Sequence, residues 1–191
     1  MLARTSRAHI FPAIVSAQKR VAAKAATESA VPGAAGGLEE QLLETWAIHD
    51  RINRYLLDAI APEALADQSA SKGRTVGEQF AHMHNVRLMW LKAADPARLR
   101  GLRKLEKEDP IDHARLREAL TQSAEAIDAL LRTALAGDGR IKGFRPHAAA
   151  FLGYLISHEA HHRGQIALAL KQAGHPLEKS VAYGLWEWGS R

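Results

Sequence analysis

His158, His161 and His162 fall within the run His158-Glu159-Ala160-His161-His162-Arg163-Gly164-Gln165. Histidines four apart lie about 40° apart around a helix axis, with Cβ atoms roughly 5–6 Å from each other. Two imidazoles so placed can close on a single metal ion. His158 and His162 meet that condition, whereas His161 points about 60° from the first and about 100° from the second. The same letters spell H-E-x-x-H, in which Glu159 is the general base of a zinc protease. That chemistry takes an edge strand to hold an extended substrate and commonly a third ligand well downstream. No segment here has a strand's period-two pattern, and only a short tail follows His162.

Two imidazoles are too few for tight tetrahedral zinc, so a third ligand must come from another helix. His82 and His84 are the candidates on a second helix. They lie 200° apart by helical geometry, so on this reading only one of them faces inward. Val76, Phe80, Met83 and Leu91 centre the apolar face slightly nearer His84, with the charge of Arg87 near its middle. Periodicity leaves the choice open. Another helix carries His49 and Asn53 on its inward stripe. With Gln165, these two are candidates to support a metal ligand or touch a substrate, with ordinary polar packing an equal alternative for each. For Arg163 and His161 simple exposure is the favoured reading, with an anionic group at the mouth of such a site the alternative. Burying several unpaired imidazoles costs a few kcal/mol apiece, and a shared metal removes that cost.

The elements that must position these residues read as four helices. The first spans about Leu38–Ile60, with Leu42, Trp46, His49, Asn53, Leu56 and Ile60 along one line. Pro62 closes it. The second opens on the capping box Thr75-Val76-Gly77-Glu78 and runs to Ala94. The third runs from Asp112 to Ala136, its apolar face made of Leu116, Leu120, Ile127, Leu131 and Ala134. The fourth starts near Pro146 and stops at Gly174. A connection of about 17 residues between the second and third has room for a short helix. The fold class expected is all-α, a four-helix bundle over residues 38–191.

Composition narrows the function. The chain has 191 residues and no cysteine, so any metal is held by histidine, carboxylate or amide groups. No apolar run approaches the 18 or so residues of a membrane span, so no membrane partner is expected. The net charge is +5, but residues 1–27 hold five of the 26 basic residues and none of the 21 acidic ones. Residues 28–191 therefore carry 21 of each sign, which removes any overall attraction for nucleic acid. The basic run Arg98, Arg100, Arg103, Lys104 and Lys107 lacks aromatic partners and reads as a solvated connection. Residues 1–37 are Ala-rich and basic and end in a Pro/Gly stretch. They read as a disordered arm or an over-long start on a cytoplasmic protein, with an organelle transit peptide as the alternative. The aromatic tail with Trp186 and Trp188 is expected to pack over the bundle end or a subunit contact rather than to wall a pocket.

Thr75-Val76-Gly77-Glu78-Gln79-Phe80-Ala81-His82-Met83, followed by His158-Glu159-Ala160-His161-His162-Arg163-Gly164-Gln165-Ile166, resembles the DinB/YfiT-like family of metalloenzymes. The resemblance covers roughly residues 38–175. It implies a four-helix bundle of unusual connectivity, often a homodimer, with three histidines on zinc, nickel or a similar divalent ion. The family ligands match His82, His158 and His162, and the resemblance thus prefers His82 over His84. Several relatives are S-transferases or isomerases that use a low-molecular-weight thiol. The implied function is therefore a metal-dependent enzyme activating a thiol or water on a small-molecule substrate. The alternatives are a non-catalytic, stress-associated metal-binding bundle and, less favoured, the H-E-x-x-H hydrolase.

Overall fold

The computed structural model describes residues 36–191, and the basic leader lies outside the described residues. Four long helices carry the fold: α1 (Leu38–Asp58), α2 (Val76–Ala94), α3 (His113–Ala136) and α4 (Ala148–Ala173). A short α5 (Lys179–Gly184) follows them. Single turns of 3₁₀ helix occupy Pro62–Ala66, Pro96–Leu99 and Trp188–Ser190, the second of them in the expected connection between α2 and α3. No strand occurs among the described residues.

The helix ends follow local chemistry. Thr75 closes the capping box, its hydroxyl accepting from Glu78 N–H at 3.2 Å while Glu78 accepts from Thr75 N–H at 2.8 Å. Asp112 caps α3 by accepting from Arg115 N–H at 2.8 Å. Helix α4 begins two residues later than Pro146 suggests, because His147 takes the cap and its ring accepts from Ala150 N–H at 3.1 Å. It stops at Gly174, whose φ of 93° is a left-handed conformation that suits glycine.

Helix α1 packs against α3 and α4, and so does α2. The ring order is therefore α1–α3–α2–α4, with α1 and α2 on one diagonal. The side-chain contacts give the directions. Arg117 to Asp58 and His113 to Ile60 make α1 and α3 antiparallel. His49 to Glu159 and Arg163 to Asn53 make α1 and α4 parallel. The connections after α1 and α3 cross the diagonals, and the one after α2 runs back along the bundle so that α3 can lie parallel to α2.

The core is divided. One apolar cluster gathers Leu56, Leu57, Ile60, Phe80, Met83, Leu116, Leu120 and Ile166. The other gathers Leu43, Trp46, Leu91, Ile127, Leu131, Phe151 and Leu155. Between them, at mid-height, every long helix contributes a buried polar group: His49, Asp50 and Asn53 from α1, Arg87 from α2, Ser123 from α3 and Glu159 from α4. The Arg87 guanidinium is wholly buried and meets Glu159 in a two-pronged pair, Nε to Oε1 and Nη2 to Oε2 at 2.7 Å each. Its Nη1 donates to Asp50 at 3.1 Å and to the Leu120 carbonyl at 2.9 Å. The sequence already placed a charge in the middle of the α2 apolar face; this layer is what receives it.

Candidate metal centre

α2 and α4 run antiparallel, and on the outer side of their seam three imidazoles converge. His82, His158 and His162 each present a ring nitrogen within 4.8 Å of the others. The ring centroids of His158 and His162 are 4.5 Å apart, and that of His82 is 4.7 Å from His162 and 5.3 Å from His158. The i, i+4 spacing on α4 supplies two of the three, and the antiparallel register of α2 supplies the third. His162 is buried, while His82 and His158 are partly exposed, so the cluster opens to solvent on one side.

The hydrogen bonds orient the donors. His162 Nδ1 faces two carbonyl oxygens, Gln79 Oε1 at 2.6 Å and Gln165 Oε1 at 2.9 Å, so it carries the proton and leaves Nε2 with a bare lone pair. That Nε2 lies 3.1 Å from His158 Nε2, while His158 Nδ1 is buried with no hydrogen-bond partner. Without an ion, a proton on His158 Nε2 can donate to that lone pair; an ion held by both nitrogens would take the place of the proton. Two nitrogens on one tetrahedral zinc sit about 3.3 Å apart for bonds of 2.0–2.1 Å, so the His158–His162 spacing fits such an ion. Burial holds His82 and His162 at a pKa of about 4. Arg74 and then His158 add to this at His82, as His158 and His82 do at His162. Burial also lowers His158, with His161 and Arg74 adding to the effect against the pull of Glu159. At neutral pH all three are neutral, the form that ligates.

The remaining candidates separate clearly. Gln165 lies against His162. His49 and Asn53 do not reach the cluster through their hydrogen bonds. Both hold Glu159 Oε2 instead, at 2.9 and 2.5 Å. Arg163, read as a solvent-facing or mouth residue, turns inward and donates to Asn53 Oδ1 at 2.6 Å. His161 is exposed, and its ring stands beside His162 without joining the three. Glu159 accepts from Arg87, His49 and Asn53; full burial raises its pKa, but the charge and hydrogen bonds of Arg87, with His49, outweigh this and hold it far below the carboxylate range. It faces the polar layer and is unsuited to act as the base of a protease.

His84 corrects one expectation. It is more deeply buried than His82, and both make contacts because α2 has neighbours on two sides. His84 is buried toward α3, with Nδ1 2.8 Å from the Ala119 carbonyl and Nε2 3.0 Å from the Arg103 carbonyl. A 200° separation excludes two residues from one face, not from two interfaces. Gln79 escaped the sequence reading although it sits in the quoted α2 motif; its one-turn spacing before His82 was the available signal. The aromatic ring nearest the cluster is Tyr154, stacked on His158 at 6.1 Å, and not a tail tryptophan. Trp186 is 81% exposed, so it covers nothing among the described residues.

An all-α bundle with diagonal connections and a three-histidine cluster at the α2–α4 seam defines the class. The chain matches the DinB family over residues 32–188 and belongs to that family. It is also similar to the crystal structure of a DinB-like protein from Bacillus cereus ATCC 10987, with a TM-score of 0.55 and 24% identity. That match covers 73% of this chain and 95% of the other, and at this identity it supports the fold. No curated protein matches the chain. None of the helices among the described residues is long and apolar enough to cross a membrane.

Proposed function

We propose that this chain is a divalent-metal-dependent enzyme that activates a low-molecular-weight thiol, or water, toward a small-molecule substrate. His82, His158 and His162 are its ligands, and zinc or nickel is the ion. The observation that carries the reading is the His158–His162 pair, whose Nε2 atoms face each other at 3.1 Å with the His162 tautomer held by Gln79 and Gln165. When bound, a divalent ion with three neutral ligands keeps open positions and lowers the pKa of a thiol or water placed there. The chain's own part is to keep the imidazoles neutral, to orient them and to leave one side of the seam open. A purely structural metal fits less well, because the buried polar layer and two apolar clusters already tie the four helices together without it.

Metal analysis of the purified protein beside His82→Ala and His158→Ala is the test. About one equivalent of zinc or nickel is expected in the unaltered chain, and a large loss in each variant. Stoichiometric metal in both variants would sink the three-histidine assignment. Stripping the ion should leave far-UV circular dichroism largely intact, whereas a structural site would lose helix cooperatively.

Gln79→Leu isolates the orienting role. It removes the shorter of the two acceptors on His162 Nδ1 while keeping a side chain of similar size. Metal affinity, read by competition with a chromophoric chelator, should weaken by about 10–100-fold with the helical content preserved. An unchanged affinity would mean that Gln165 alone orients the ring.

A further inference from the structure

From the three histidines an apolar wall continues along the same helix seam. Tyr154 lies one turn before His158 on α4, and the two rings stack with centroids 6.1 Å apart and planes 16° from parallel. Tyr154 also meets Trp90 of α2 at 5.5 Å and Phe144, in the loop before α4, at 5.6 Å. Phe144 and Phe151 complete the group, each in edge contact with Trp90, at 5.4 and 5.6 Å. His82 lies opposite His158 and His162, and Trp90 lies opposite Phe151 and Tyr154. The two helices therefore keep one antiparallel register along the seam. Met89 is two turns from His82 on the same face of α2, which sets it at the level of Tyr154.

This wall is not finished as core. Tyr154 is 36% exposed and Met89 51%, among the described residues. It also lacks charge. From His82 to Trp90 and from Phe151 to His158, Arg87 is the one residue other than histidine that carries a charge, and its guanidinium is turned into the core onto Glu159. Even the buried indole N–H of Trp90 has no hydrogen-bond partner among the described residues. The wall begins in ring contact with His158, so a molecule whose reacting atom sits between the three imidazoles has its next atoms against Tyr154. A charged or strongly hydrated group there would lose water and gain no partner, whereas an apolar one gains by leaving water.

We propose that Tyr154 and Met89 are specificity-determining residues of the three-histidine site, and that the small molecule bound there carries an apolar group next to its reacting atom. This rests on the metal-site reading above, and the experiment keeps the two apart. Full-length protein loaded with cobalt(II) is titrated with acetohydroxamate and with benzohydroxamate, following the visible cobalt bands. The two probes share a metal-chelating group and differ in methyl against phenyl. Measured against the same pair on aqueous cobalt(II), the protein should favour benzohydroxamate by roughly tenfold, the effect of covering about half a phenyl ring. Tyr154→Ala should remove most of that preference and Tyr154→Phe should keep it. Met89→Ala, at a half-exposed position that touches no histidine, should lower it by about threefold with the circular dichroism of the parent. A ratio left intact by Tyr154→Ala, because both hydroxamates weaken alike, would mean that Tyr154 only braces His158. That result, a ratio that Met89→Ala leaves intact, or no preference in the parent would overturn the inference while the cobalt bands still attest the metal site. Absence of cobalt binding would overturn the metal-site reading itself and this inference with it.

Discussion

Arg87→Met is expected to destabilise the protein by about 3–5 kcal/mol, the cost of stranding a buried charge. The guanidinium is wholly buried and makes two 2.7 Å bonds to Glu159, with further bonds to Asp50 and to the Leu120 carbonyl. It also stacks over Trp46, 4.9 Å from the ring centroid. Methionine fills much of the space and returns none of the donors. Glu159 would keep only His49 and Asn53, and Asp50 only Arg54. Urea unfolding should show the loss as a lower midpoint at similar slope. The paired change Arg87→Met with Glu159→Met should recover part of it, since removing both charges abolishes the stranded carboxylate. A midpoint for Arg87→Met within 1 kcal/mol of the parent would mean that water reaches the layer and solvates Glu159.

The layer also explains what could be read in the sequence. The i, i+4 pair His158 and His162 is legible because helical spacing alone puts both side chains on one side, and the chain was bound to be helical there. The capping box at Thr75 and the glycine stop at Gly174 are local chemistry, so their positions follow from neighbouring residues. The third histidine was not legible from spacing. Choosing between His82 and His84 requires knowing that α4 lies on one side of α2 and α3 on the other, which only the diagonal connections decide. The roles of His49 and Asn53 were hidden for a similar reason. An inward polar residue on α1 can serve any group at its level, and here that group is Glu159 rather than the histidines. Glu159 was misleading in its own way: the letters H-E-x-x-H place it beside two ligands, but helix geometry turns it 100° from His158, into the core.

Acid should unfold this bundle early, and from histidines more than from carboxylates. Burial lowers the pKa of His49, His82, His84, His158 and His162 below the ordinary 6.5. A histidine depressed in the folded state takes up its proton only on unfolding, so its stabilising contribution is complete above pH 6.5 and is lost as pH falls toward the folded value. For one imidazole that stays neutral the loss is about 2 kcal/mol between pH 6.5 and 5. His49 comes nearest that limit, being wholly buried with Glu159 on one nitrogen and Arg163 near the other. The partly exposed His82 and His158 should contribute less, since water offsets their burial. Glu159 acts in the same direction but lower, because Arg87 keeps it ionised well below its ordinary 4.5. Metal-free protein should therefore lose thermal stability steadily from pH 6.5 downward, with net proton uptake on unfolding. His49→Gln should flatten that slope by up to one proton while lowering the plateau above pH 7, because the amide keeps a donor to Glu159 but does not titrate. A melting temperature that stays level between pH 7 and 5 would contradict the burial of these imidazoles and, with it, the polar layer that sets the helices in register.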